Sequence, residues 1–220
     1  MFWRNMKIET FSIGGIGHEN EDRLSVQYIG TDTIMAILAD GMGGLDSGSV
    51  AAEIVVEAVV NFIKDNFNGN NERDILYNAL HYANKQIAKT NEEKKIKTGA
   101  AVAVVLITNN HLYYTWQGNV RIYVYKHEYK ELITQDHIAD TGYGKTALTR
   151  CIKGSELRDD VPICYKEIAS EDTIWICSDG FYNATESIIS VFPFEIIKEK
   201  MQNLEDDASC IIISPNLKSH

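Results

Sequence analysis

The 220-residue chain is 45% hydrophobic and carries 31 Asp and Glu against 21 Lys and Arg, a net charge of −10. That length suffices for one domain with a sizeable core, expected over residues 1–220, and the acidity argues against nucleic acid and anionic membranes as partners. Cys151, Cys164, Cys177 and Cys210 form no C-x-x-C pair and are expected to be reduced core thiols, and no apolar segment reaches signal-peptide or membrane-span length, so a cytoplasmic protein is expected.

In chain order, Thr33 to Ala39 is short, almost wholly apolar and bounded by Gly- and Asp-rich sequence, which predicts a strand buried on both faces. It runs into Asp40-Gly41-Met42-Gly43-Gly44, a lone carboxylate followed by three glycines in four residues. Asp46 or Ser47 can cap a helix whose apolar positions Val50, Ala51, Ile54, Val55, Ala58, Val59 and Phe62 recur every three or four residues, to about Phe67. A second helical repeat (Ile75, Leu76, Ala79, Leu80, Ala83, Ile87) is expected to fray in the charged run 91–95. From Gly99 the period changes to that of strands. Runs at 100–108, 111–116, 120–125 and 130–134, with turns at Asn109-Asn110 and Gln117-Gly118-Asn119, predict an antiparallel meander in which Val120, Ile122 and Val124 form the deeper face. A strand at 172–179, a short helical piece, a helix near Glu195–Leu204 and a last strand at 209–214 complete an α+β pattern.

Acidic residues recur at strand boundaries: Glu21 and Asp22, Asp40, Asp179, and Asp206 with Asp207. If the strands lie side by side, their ends form a common rim on which these carboxylates converge. Anionic oxygens held within about 4–6 Å raise one another's pKa unless cations neutralise them. With no clustered histidines or paired cysteines, an all-oxygen donor set fits the hard divalent cations Mg²⁺ or Mn²⁺. Two such ions can share a water, lower its pKa and clamp an in-line displacement at phosphorus. A glycine after Asp40 lets the backbone bring a carbonyl close to an ion.

Seven stretches in order, Asn20–Arg23, Ala39–Gly44, Thr98–Ile107, Thr134–His137, Leu148–Gly154, Cys177–Asn183 and Asp206–Ser209, resemble the motifs of the metal-dependent protein Ser/Thr phosphatases of the type 2C class, in their compact bacterial form. The resemblance spans about Ile13 to Ile213. It implies a four-layer α/β/β/α sandwich, two antiparallel sheets flanked by helices, with a two-metal site at one end. Carried over by motif, Asp40 bridges the metals, the Gly41 carbonyl is a further ligand, and Asp179 and Asp206 hold the first metal. Glu21 and Asp22 act on the second metal and its waters, directly or through hydrogen bonds. Asp207 stands where the family has Asn, so Asp206 is favoured as the ligand, a one-residue slip remaining open. The implied reaction is hydrolysis of phosphoserine or phosphothreonine in proteins by a water or hydroxide between the ions, with a Ser/Thr kinase as natural counterpart. His137 is expected to be structural or to support the site from behind.

Three departures from the family pattern bear on function. Gly17 replaces the phosphate-binding arginine, with His18, Arg23 and Arg150 as substitutes. Asn119 replaces an acidic residue, implying two tight metals and a third that is weak or absent. The segment Ile138–Ala147 is short, implying a reduced flap over the site. Gly17 and Asn119 leave open an alternative, a phosphatase-like regulatory or binding module with little catalysis. A nucleotide-binding loop at Gly14–Asn20 is disfavoured, since the third glycine and a strand–turn–helix setting are missing.

Overall fold

The computed structural model describes residues 6–42, 47–126, 129–142, 145–157, 160–185, 194–201 and 203–216. Its strands are β1 (Met6–Ile13), β2 (Asp22–Ile29), β3 (Thr33–Gly41), β4 (Ala100–Thr108), β5 (His111–Gln117), β6 (Arg121–Lys126), β7 (Tyr129–Leu132), β8 (Ile138–Gly142), β9 (Lys145–Leu148), β10 (Ile163–Glu167), β11 (Thr173–Cys177) and β12 (Ala208–Pro215). Its helices are α1 (Gly48–Asn66), α2 (Glu72–Lys94), α3 (Asp179–Thr185) and α4 (Phe194–Lys200). Two five-stranded sheets, ordered β1-β12-β11-β6-β7 and β10-β5-β4-β3-β2, are antiparallel throughout, and β8-β9 forms a separate hairpin.

Side-chain alternation builds the layers. Along β3, Ile34, Ala36 and Leu38 point between the sheets, where they meet Ile122, Val124, Ile174, Ile176, Ile211 and Ile213 of the other sheet. Met35, Ile37 and Ala39 point the other way, into a core closed by Val55, Val59 and Ile63 of α1 and Leu76, Leu80 and Ile87 of α2. On the far side of the second sheet, Trp175, Cys210 and Ile212 pack against Phe181 of α3 and Phe194 and Ile197 of α4. The result is the α/β/β/α order. Each fully buried Ile, Leu or Val contributes about 1.5–3 kcal/mol, so a strand such as β3, apolar on both faces, fixes the centre of the fold.

Three expectations need correction. The meander divides into two hairpins: β4-β5 belongs to one sheet and β6-β7 to the other, and β5 does not pair with β6. Both strands turn their apolar faces to the same interior, Leu112, Tyr114 and Trp116 from one side and Val120, Ile122 and Val124 from the other, so the chain crosses between sheets at Gln117–Asn119. Helix α2 does not fray at Asn91, because the Asn91 side chain donates to the Thr98 and Lys153 carbonyls and accepts from the Thr98 amide. Ser47 precedes α1 with a left-handed φ of 68° and makes no side-chain cap; its carbonyl instead accepts from the Thr98 hydroxyl at 2.8 Å. The alternative cap, Asp46, and the glycines Gly43 and Gly44 lie outside the described residues. All four cysteines are free thiols, and Cys164 is only half-buried. Among the described residues no helix is long and apolar enough to cross a membrane.

Candidate active site

The central strands end at one rim. Asp22 opens β2 directly opposite Asp40 near the end of β3, so the two carboxylates stand on the same face of neighbouring strands. Asp179 follows β11 at the first turn of α3, and Asp206 and Asp207 precede β12, which pairs with β11. A cavity of about 1010 Å³ opens between this rim and the segment 97–98, and Glu21, Asp40, Gly41, Asp179, Asp206 and Asp207 line it. Asp40 and Asp179, far apart in the chain, thus face the same cavity.

Crowding governs their protonation. Burial, and then the charges of Asp22, Asp179 and Asp206, hold the Asp40 carboxyl well above the ordinary carboxylate range. Asp22 is 3% exposed, and burial pushes it up to about 7 although hydrogen bonds from Ser209 and Ser178 oppose the shift. Asp206 is raised by partial burial and by Asp179. The Asp22 Oδ2 accepts from the Ser178 hydroxyl at 2.8 Å, while its Oδ1 is buried with no hydrogen-bond partner among the described residues. An orphaned carboxylate oxygen inside a cluster of carboxyls costs free energy unless a cation or proton answers it. The oxygen-only donor set therefore suits divalent cations. Among the described residues, no three acidic, histidine or cysteine side chains already surround one point at ligating distance.

Glycine at position 41 has a packing reason. Its backbone passes so close to α1 that a Cβ there would lie 2.3 Å from the Gly48 carbonyl oxygen and 2.9 Å from that of Glu21. A Cβ at Gly48 would in turn meet the Glu21 carboxylate at 2.7 Å, so Glu21 is wedged between the start of α1 and the Asp40–Gly41 backbone. The Gly41 amide donates to the Glu21 carbonyl at 3.2 Å.

Asp206 and Asp207 separate by role. Asp207 is buried, and its two oxygens accept from the Gly15 amide at 2.8 Å and the Glu21 amide at 2.7 Å, pinning the loop that carries Glu21. Asp206 is exposed to the cavity and, among the described residues, hydrogen-bonds only the neighbouring Asp207 amide, at 3.0 Å. Geometry thus leaves Asp206 available to a ligand and Asp207 committed to the fold.

Of the three cations considered for phosphate, only His18 lines the cavity. Arg23 donates to the Asn20 and Asp22 carbonyls and pairs with Glu19, and Arg150 pairs with Asp160. The His18 ring lies with both nitrogens 3.2 Å from carbonyl oxygens, of Glu19 and Glu205, and beside Asp207. Two acceptors favour the doubly protonated ring, and the His18 pKa is raised accordingly. Gly17 takes a φ of +85°, a left-handed turn that a residue with a side chain would disfavour.

Asn119 donates its side-chain amide to Asp179 Oδ2 at 2.8 Å. An acidic residue there would press a further negative charge on Asp179; the amide holds it instead. Its turn is supported by His137, whose Nδ1 accepts from the Gly118 amide at 3.2 Å and whose ring stacks on Trp116 at 5.6 Å. Burial lowers the His137 pKa, which keeps that nitrogen a neutral acceptor. Beneath the site, Arg121 makes paired hydrogen bonds to Asp136 and lies 3.7 Å over the Tyr182 ring of α3, tying the Asp179-bearing helix to β6. Sequence reasoning did not assign Ser178 and Ser209, wholly buried hydroxyls among apolar strand residues. Their polarity at such positions was the available signal.

A profile of the protein phosphatase 2C family matches residues 15–217, and the chain belongs to that family. The serine/threonine phosphatase stp of Listeria monocytogenes serotype 4b is 26% identical over 223 residues, which cover 92% of this chain and 86% of the relative. A putative protein phosphatase of Mycoplasma genitalium is 25% identical over 210 residues, covering 84% and 79% of the two chains. Among solved structures, the catalytic domain of the serine/threonine phosphatase PstP in complex with two manganese ions superposes with a TM-score of 0.78 at 22% identity, covering 96% of this chain and 98% of that one. The S. agalactiae serine/threonine phosphatase gives 0.82 at 19% identity, covering 96% and 99%. These likenesses establish the two-sheet fold.

Proposed function

We propose that the chain is a protein serine/threonine phosphatase dependent on Mg²⁺ or Mn²⁺, acting on phosphorylated proteins made by a Ser/Thr kinase. The observation that carries this is the convergence of Glu21, Asp40, Asp179 and Asp206 on one cavity, with Asp22 buried opposite Asp40 on the neighbouring strand and one of its oxygens unpaired among the described residues. Asp40, Asp179 and Asp206 would hold the first cation, with the Gly41 carbonyl as a further ligand, and Glu21 and Asp22 would act on a second cation and its waters, directly or through hydrogen bonds. When bound, two divalent ions supply the charge that lets these carboxylates coexist and activate a shared water for attack on phosphorus.

The remaining work falls to the chain. Asn119 orients Asp179, Ser178 orients Asp22, and Asp207 fixes the Glu21 loop. A third cation is weak or absent, because Asn119 brings an amide where another carboxylate would be needed. The reading is tested with p-nitrophenyl phosphate and phosphoserine peptides. Turnover with Mn²⁺, its loss in EDTA, and its loss in Asp40→Ala and Asp179→Asn are expected; turnover retained in both variants removes the mechanism. Gly17 and Asn119, standing in place of an arginine and an acidic residue, favour a second reading, a phosphatase-like regulatory or binding module with little catalysis, which calorimetric Mn²⁺ binding without turnover on any phosphopeptide would support.

A further inference from the structure

We propose that Lys97 and Lys153 form an anion subsite at the cavity mouth that takes acidic side chains flanking the phosphorylated residue, so that the preferred substrates are phosphoproteins with Asp or Glu beside the phosphoserine or phosphothreonine. This rests on the phosphatase reading and adds the substrate's sequence class.

Both lysines line the cavity wall formed by segments 97–98 and 151–155, together with Asn91, Thr98, Cys151 and Ser155. Among the described residues neither has an ion-pair partner, in contrast to Arg23, Arg121 and Arg150. What sets these two lysines apart is that both line the cavity.

Their backbones are held. Asn91 donates to the Thr98 carbonyl at 3.3 Å and the Lys153 carbonyl at 3.2 Å, and accepts from the Thr98 amide at 3.2 Å. Thr98 further donates to Ser47 at 2.8 Å, and Ala100 and Ile152 exchange backbone hydrogen bonds of 2.9 Å in both directions. One asparagine near the end of α2 thus fixes both lysine-bearing segments. That preorganisation lowers the ordering cost of binding an anion.

Register sets which part of a substrate they reach. Gly41 pairs with Ala100, and Ala100 bridges to Ile152, so the Lys153 backbone is two strand spacings, roughly 10 Å, from the Asp40–Gly41 backbone. Lys97 precedes Ala100, the strand partner of Gly41, by three residues, at most roughly 10 Å of chain. A separation of about 10 Å is about one screening length at physiological salt, which weakens the field of the carboxylate rim at the Lys153 wall. It also matches the reach of a residue one or two positions from a phosphorylated side chain held at the rim.

The test is equilibrium binding of fluorescent peptides that carry a phosphonate isostere of phosphoserine flanked by Asp, Ala or Lys, to the full chain with Mn²⁺ present and to Lys97→Glu/Lys153→Glu. The chain is expected to bind the Asp-flanked peptide roughly tenfold more tightly than the Lys-flanked one, with the gap narrowing in high salt. The variant is expected to reverse that order, which also shows that it is folded. Equal affinities for all flanks, an order unchanged in the variant, or a uniform loss for every peptide would overturn the proposal; the last would mean that the lysines hold the phosphoryl group itself. Hydrolysis of p-nitrophenyl phosphate by the unmodified chain is scored separately, so failure of the phosphatase reading and failure of the subsite are told apart.

Discussion

Asp22→Asn should make the metal-free protein more stable. The Asp22 carboxyl is 3% exposed, and its pKa moves from the ordinary 3.8 to about 7. At about 1.4 kcal/mol per pH unit, keeping it ionised at pH 8 costs the fold a ceiling of about 4 kcal/mol. The asparagine Oδ1 can still accept from Ser178, and its amide would face Asp40, the cross-strand partner, as a donor in place of a like charge. A gain of about 2–4 kcal/mol corresponds to a Tm about 5–10 °C higher in a chain of this size. The sign follows from linkage. A folded-state pKa raised above the unfolded one contributes stability fully present below about pH 4 and lost as pH rises through about 7. The advantage of the variant should therefore be full at pH 8 in EDTA and vanish toward pH 4. Thermal denaturation followed by circular dichroism across that range is the assay. A variant Tm at pH 8 equal to or below that of the unmodified chain would refute the reasoning, since it would mean Asp22 carries no electrostatic strain.

Because Asp22 and Asp40 are raised, cation binding must displace protons below pH 7, so Mn²⁺ affinity should climb with pH between 5.5 and 7.5, by up to about tenfold per unit for each proton released. Calorimetry in buffers of different ionisation enthalpy reads the protons directly, and a pH-independent affinity would contradict the assignment. Asp207→Asn replaces an acceptor shared by the Gly15 and Glu21 amides and should cost about 1–3 kcal/mol in denaturant melts, whereas Asp206→Asn should abolish Mn²⁺-dependent turnover with little loss of stability. Equal effects of the two on both measurements would show the roles to be misassigned. Gly41→Ala forces a Cβ against the Gly48 carbonyl and should lower stability by about 1–3 kcal/mol while displacing Glu21; an unchanged melt would mean that the α1 start yields freely.

Much of the layered fold was open to reading because β3 and β4 are apolar on both faces, a pattern that only a central strand with cover on each side can satisfy. Pairing was not. The runs 111–116 and 120–125 each alternate, and a turn of Gln, Gly and Asn suits a hairpin equally well as a crossing, because alternation fixes which face is buried but not which neighbour is hydrogen-bonded. Strand β10 escaped notice since its five residues are only partly buried on an edge. The carboxylates of the site were legible from their places at strand ends. Choosing between Asp206 and Asp207 was not, for it depends on two amides, of Gly15 and Glu21, some 190 residues earlier in the chain. The end of α2 held for a similar reason: Asn91 gains tertiary partners that no local propensity reports.

The most direct test of the central claim is a crystal of the protein soaked in MnCl₂, with anomalous scattering measured at the manganese edge. Two peaks within coordination distance of Asp40, one of them also bonded by Asp179 and Asp206, are expected. Well-ordered carboxylates with no anomalous peak among them would contradict it.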